Sequence, residues 1–165
     1  MTRRTGAEID RVMRLLGTDI ALDYPGPSGW WEDADLDVAQ SSGRLPLTTD
    51  VGVVAGISAA DQLLVNRLKT RRGELALLGH PEYGSRHYEL IGQPNTERVR
   101  NLIKRHVLEC LAQEPRIEKV LDCQVSAGHA PPRDLVRIEI TVRLNGVATP
   151  RNLVVPFSLA VEAPE

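Results

Sequence analysis

The sequence predicts an α+β fold, and three features of its second half carry that expectation. Residues 95–113 repeat apolar side chains at a helical period, residues 117–161 change to alternation, and Pro115 stands at the change. The expected architecture is a single domain with a mostly antiparallel sheet of three to four strands and two main helices on one face. An N-terminal helix and an extended arm, residues 1–56, precede the domain, which takes residues 57–165.

The elements follow in order. Thr5 and Glu8 have capping-box spacing, and Ile9, Val12, Met13 and Leu16 share one helical face before Gly17 ends it. Such a stripe must be buried, either on the chain's own sheet or on a partner, with Ile9 and Met13 as contacts. Residues 23–56 are rich in turn formers and read as an extended arm with one or two short strands or turns, with Trp30 and Trp31 as anchors that either pin the arm to the domain or hold a partner. A helix is expected over about 58–71, capped by Ser58, with Leu63, Leu64 and Leu68 inward. The run ELALL reads as a short strand or extended run, and HPEYGSRH as turns. Asn95 is placed to cap the next helix, with Glu97 in its first turn and Val99, Leu102, Ile103, Val107, Cys110 and Leu111 on its apolar face.

Beyond Pro115, Ile117, Leu121, Cys123 and Val125 are in phase for a strand. Val136, Ile138, Ile140, Val142 and Leu144 alternate with polar residues in the next, and Asn145-Gly146 predicts a two-residue hairpin. A last strand carries Leu153, Val155, Phe157 and Leu159, with Pro156 on the alternate face. Proline cannot donate to a ladder, so this strand is expected at a sheet edge.

Composition narrows the chemistry. The net charge is −2 and aromatic residues make up 4% of the chain, so a nucleic-acid surface is disfavoured. No stretch approaches the length of a membrane span, and MTRR is not followed by the apolar segment of a secretory signal. Cys110 and Cys123 read as reduced core residues, a usage that fits a cytoplasmic protein. His80, His87, His106 and His129 are scattered without metal-ligand spacing, so no metal or cofactor is expected. Glu114 with Glu82 or Asp122 is the one carboxylate set open to general acid–base work, and an enzyme is not expected.

Glu114 is also locally misplaced, because a carboxylate at a helix C-terminus opposes the dipole. Either it forms a partly exposed pair with Arg116 that contributes little, or the two tie the bend to a neighbouring chain by bidentate bonding.

Three segments resemble one family, the baseplate wedge or sheath-initiator proteins of contractile phage tails and injection systems, historically called lysozyme-like. The family's LxTxxGE is matched by Leu68, Thr70, Gly73 and Glu74, its PxFGS by Pro81, Tyr83, Gly84 and Ser85, and its EPR by Glu114, Pro115 and Arg116. The likeness covers residues 55–160, with Tyr83 in place of the usual Phe, and extends weakly into the arm. It implies a structural protein, contacting larger wedge subunits, the first ring of sheath subunits and central spike or hub proteins, with Glu114 and Arg116 in wedge assembly. The exposed last strand, with Leu153, Val155 and Phe157 as anchors, would take a sheath strand by addition. A free-standing adaptor and a cell-wall hydrolase are the competing readings.

Overall fold

The computed structural model describes residues 6–23, 35–40, 49–128 and 133–161, and the fold is α+β. The chain forms two compact units, Met1–Leu63 and Leu64–Glu165.

The first unit opens with α1, Gly6–Leu16, which buries Val12 and Leu16 and leaves Met13 40% exposed. Gly17 ends it in the left-handed region, its N–H donating to the Met13 carbonyl at 2.9 Å. Six short strands follow: β1 (Thr18–Ile20), β2 (Leu22–Asp23), β3 (Asp35–Leu36), β4 (Val38–Gln40), β5 (Thr49–Val51) and β6 (Val53–Ala55). They pair antiparallel as β1·β6, β2·β3 and β4·β5. The three ribbons meet at a ring of backbone bonds. Ala21 donates to Gly52, Gly52 to Asp37, and Asp37 back to Ala21, all at 2.8–2.9 Å. A Cβ on Gly52 would lie 3.1 Å from both the Ala21 Cβ and the Asp37 carbonyl, which explains the glycine. Gln62 fastens this region, accepting from the Leu22 N–H at 2.9 Å and donating to the Ile20 carbonyl at 2.7 Å. Trp30 and Trp31 lie outside the described residues, as do Thr5 and His129.

The unit boundary falls within α2, Ile57–Lys69. In the second unit, α2 buries Leu64, Leu68 and, unexpectedly, Arg67. The expected strand at ELALL is instead a 3-10 turn, Ala76–Leu78, with no buried residue. It sits in a loop whose neck is closed by a parallel bridge between Arg71 and Ser85, so the apolar run finds no strand partner and leaves Leu77 fully exposed. A second 3-10 turn, His87–Leu90, packs against α3, Glu97–Leu111. Thr96, not Asn95, caps α3, its hydroxyl accepting from the Val99 N–H at 3.3 Å. Asn95 instead donates to the Arg133 carbonyl at 2.8 Å, tying the helix start to the sheet.

The sheet is antiparallel and three-stranded, in the order β7 (Ile117–Ala127), β8 (Leu135–Leu144), β9 (Arg151–Ser158). All five inward residues of β8 are fully buried, and α3 lies against β7. The expected phase of β7 is broken by register shifts between Ile117 and Lys119 and between Val120 and Asp122. Val120 rather than Leu121 therefore opposes Val142, and Leu121 is 38% exposed. Asn145-Gly146 forms the expected tight turn, the Val147 N–H donating to the Leu144 carbonyl at 3.1 Å, but the connection is longer than two residues because the β8·β9 ladder begins only at Val142↔Arg151. Asn145 also ties this turn to the joint at Pro115: its backbone donates to the Arg116 carbonyl at 2.9 Å and its side chain to the Pro115 carbonyl at 2.7 Å. β9 is an edge strand, as Pro156 indicated.

Candidate functional site

Two of the three motif segments, PEYGS and EPR, come together on Arg67, the residue that precedes the third. Arg67 is 7% exposed, and its guanidinium is held from four directions. Nε donates to the Cys110 carbonyl at 3.2 Å and one terminal nitrogen to Gln113 Oε1 at 3.5 Å. The other terminal nitrogen pairs with Glu114 Oε2 at 3.5 Å. The Tyr83 ring, from the PEYGS segment, lies 4.7 Å from the guanidinium carbon, a cation–π contact.

Glu114 is 4% exposed and uses both oxygens. Oε2 faces Arg67, while Oε1 accepts from the Arg116 backbone N–H and its guanidinium, both at 3.2 Å. The chain needs this arrangement at a sharp joint. The α3 helix must stop, Pro115 removes a donor, and β7 must start in register with β8. One carboxylate clamps the helix end, the following strand and α2 together, so the charge that opposes the helix dipole is matched by two guanidiniums. The expectation of a partly exposed pair is corrected: only the Arg116 side chain, 33% exposed, is open to solvent. The expected roles of Glu114 and Arg116 thus divide, with Glu114 an internal clamp and Arg116 the accessible member.

The LxTxxGE and PEYGS segments are joined by backbone. The Ser85 N–H donates to the Thr70 carbonyl at 2.9 Å and the Arg72 N–H to the Ser85 carbonyl at 3.1 Å. Gly84 has φ +97°, and a Cβ there would meet the Thr70 carbonyl oxygen at 2.5 Å. Only glycine fits this crossing. Beneath it, His87 is buried, with Nδ1 2.7 Å from the Ser85 hydroxyl and its ring edge-on to Phe157 at 4.5 Å. Burial, with the His106 charge adding to it, holds the His87 imidazole down at about 3.

The remaining sequence candidates are spread out. Val155 and Phe157 are buried and Leu153 is half-buried, so these side chains belong to the core and the β9 backbone is what the edge presents. The Ile9 side chain lies outside the described residues. Of the three carboxylates considered for acid–base work, Glu114 is clamped as above and Glu82 pairs with Arg72. Asp122 accepts from the Cys123 N–H at 2.9 Å. Cys110 and Cys123 are free and buried, and burial raises both thiols, Cys110 to about 11. Sequence reasoning missed Arg67. The available signal was a lone Arg on the buried face between Leu64 and Leu68, together with a Glu that opposed its own helix.

This fold is similar to that of a Geobacter sulfurreducens protein named as a tail lysozyme, at 27% identity and a TM-score of 0.54. The similarity covers 62% of this chain and 90% of that one. A chain of the baseplate complex from the type VI secretion system also matches, at 22% identity and a TM-score of 0.47, over 62% of this chain and 91% of that one. No protein-family description and no curated relative matches the sequence. No helix among the described residues is long and apolar enough to cross a membrane.

Proposed function

We propose that this chain is a structural component of the baseplate of a contractile injection system or phage-tail-like particle. In this reading it joins larger wedge subunits and starts the sheath by strand addition. One observation carries it: two of the segments by which the sequence resembles baseplate wedge proteins, PEYGS and EPR, close on the buried Arg67, in a fold similar to that of a named tail protein. A motif spent on an internal clamp builds a rigid joint, and a rigid joint suits a subunit fixed in an assembly. The reading assigns no turnover to the chain, because Glu114 is enclosed by two guanidiniums and offers no free oxygen to a substrate.

The edge gives the assembly step its chemistry. The Leu159 N–H donates to the Asp134 carbonyl at 2.9 Å, toward β8. By strand alternation, Asn152, Val154 and Pro156 direct their backbone nitrogens to the open side. Two of those three positions can donate to an added strand from a sheath subunit.

Val154→Pro tests this, since Val154 is 38% exposed and its nitrogen belongs to the open side. The variant is expected to fold, enter baseplates and fail to nucleate sheath in electron micrographs of particles from the producing cell. Baseplates carrying it with full-length extended sheath would refute strand addition at this edge. Arg116→Ala is expected to leave the chain folded and to deplete it from particles, because its guanidinium is the accessible member of the joint.

A further inference from the structure

The strand junction of the first unit has two unlike faces. Ala21 and Gly52 share one of them, since a Cβ on Gly52 would lie 3.1 Å from the Ala21 Cβ, and both are buried. Alternation turns their neighbours Ile20, Leu22, Val51 and Val53 to the other face. Directly opposed residues share a face, so Val53 stands beside Ile20 and Leu36 beside Leu22. All five are aliphatic. Ile20 is 51% exposed, Leu36 52%, Val51 44% and Val53 67%, while Leu22 is half-buried. Single exposed apolar residues are ordinary, but five adjoining ones on one face mark an interaction surface.

We propose that this face docks an amphipathic helix of a partner protein, its apolar stripe on Ile20, Leu36, Val51 and Val53 and Lys or Arg along its flanks. Backbone bonding argues for a helix. Ala21, Gly52 and Asp37 bond one another in a ring, and Gln62 takes the Leu22 N–H and the Ile20 carbonyl. The plate therefore offers side chains rather than a strand edge, and a helix brings an apolar stripe while satisfying its own backbone. Charge argues for basic flanks. Residues 18–23, 35–40 and 49–55 hold Asp19, Asp23, Asp35, Asp37 and Asp50 and no Lys or Arg. Each is the chain neighbour of a plate residue, so its charge acts within the screening length of about 8 Å at physiological salt. Residues 1–63 as a whole have ten acidic against five basic residues. A second copy of this face would set aspartates against aspartates, whereas Lys and Arg are complementary. The β9 edge belongs to the other unit, and this surface does not depend on the chain entering a particle.

The test uses the full chain, labelled with ¹⁵N, at physiological salt, and three blocked helical peptides of about four turns. The first sets Leu in a helical stripe with Lys on both flanks, the second scrambles the Leu positions, and the third replaces each Lys with Glu. Saturable shifts at the amides of Ile20, Leu22, Leu36, Val51 and Val53 are expected with the first peptide, and binding at least about tenfold weaker with the other two. Ile20→Thr with Val53→Thr removes apolar surface at exposed positions. That variant is expected to keep the parent's amide spectrum outside the plate and to bind the first peptide about tenfold more weakly. Should the pair disturb the ribbons, Val53→Thr alone makes the same comparison, with a loss of about threefold. Absence of saturable shifts at these amides, equal binding of the scrambled or the Glu peptide, or unchanged binding by the variants would each overturn the proposal. Concentration-dependent shifts at the same amides without peptide would assign the face to a second copy. Nuclear Overhauser contacts from Ile20 or Val53 to Trp30 or Trp31 in the free chain would assign it to the chain itself. Either result overturns the partner helix.

Discussion

Arg67→Met removes one side of the buried clamp while keeping most of the stem that packs beside Leu64 and Leu68. The Arg67 and Glu114 side chains are 9% and 3% exposed, so solvent does little to screen the carboxylate left behind. Breaking a buried pair by removing one partner costs about 3–5 kcal/mol. Arg116 stays at 3.2 Å from Glu114 and offsets part of that, while the lost bonds to the Cys110 carbonyl and Gln113 and the lost Tyr83 contact add to it. The expected loss is therefore near the low end, about 3 kcal/mol. Urea denaturation followed by far-ultraviolet circular dichroism reads it without masking charge. At a slope of about 2 kcal/mol per molar urea, the midpoint should fall by roughly 1.5 M. Adding Glu114→Leu to Arg67→Met should recover part of the loss, since the stranded carboxylate is then gone. The double variant should lie at least about 1 kcal/mol above the sum of the singles. A single-variant loss under about 0.5 kcal/mol, or strict additivity, would refute the clamp.

Two further perturbations probe the crossing beside it. Gly84→Ala forces a Cβ against the Thr70 carbonyl at a φ of +97° and should cost about 2 kcal/mol or more, read as a lower urea midpoint. His87 is held down at about 3 against 6.5, so the unfolded chain binds its proton first as pH falls. Its contribution is fully present above about 6.5, is lost progressively below that, and levels off below about 3. Between pH 6.5 and 5 this one group should remove about 2 kcal/mol of stability. His87→Asn should flatten that segment of the pH profile relative to the parent, and an unchanged slope would contradict the assignment.

Much of the fold was legible because it obeys local rules. The α3 face, Val99 to Leu111, has an unbroken helical period, and β8 has clean alternation with every inward residue buried. The misreadings arise where tertiary pairing overrides pattern. Two bulges in β7 turn Leu121 outward, a shift that period-2 counting cannot register. Leu75 to Leu78 has a strand's composition but no partner strand, so it closes into a 3-10 turn. Asn145-Gly146 does turn the chain, yet β9 does not pair with β8 until Arg151, while Asn145 bonds the Pro115 and Arg116 carbonyls of the joint. The site was half legible. The misfit of Glu114 with its helix marked one end of the clamp. The other end, Arg67, lies 47 positions earlier and has no local oddity beyond its helical face. A long-range ion pair leaves no periodic trace in either segment.

If this chain is a fixed part of a baseplate, as proposed, its position within an intact particle shows it. A short tag placed after Glu165, detected by gold labelling on particles purified from the producing cell, reports that position. Label is expected only at the baseplate end, with the chain retained after stripping of loosely bound protein. Label distributed along the sheath, or the chain recovered only in the particle-free fraction, would contradict it.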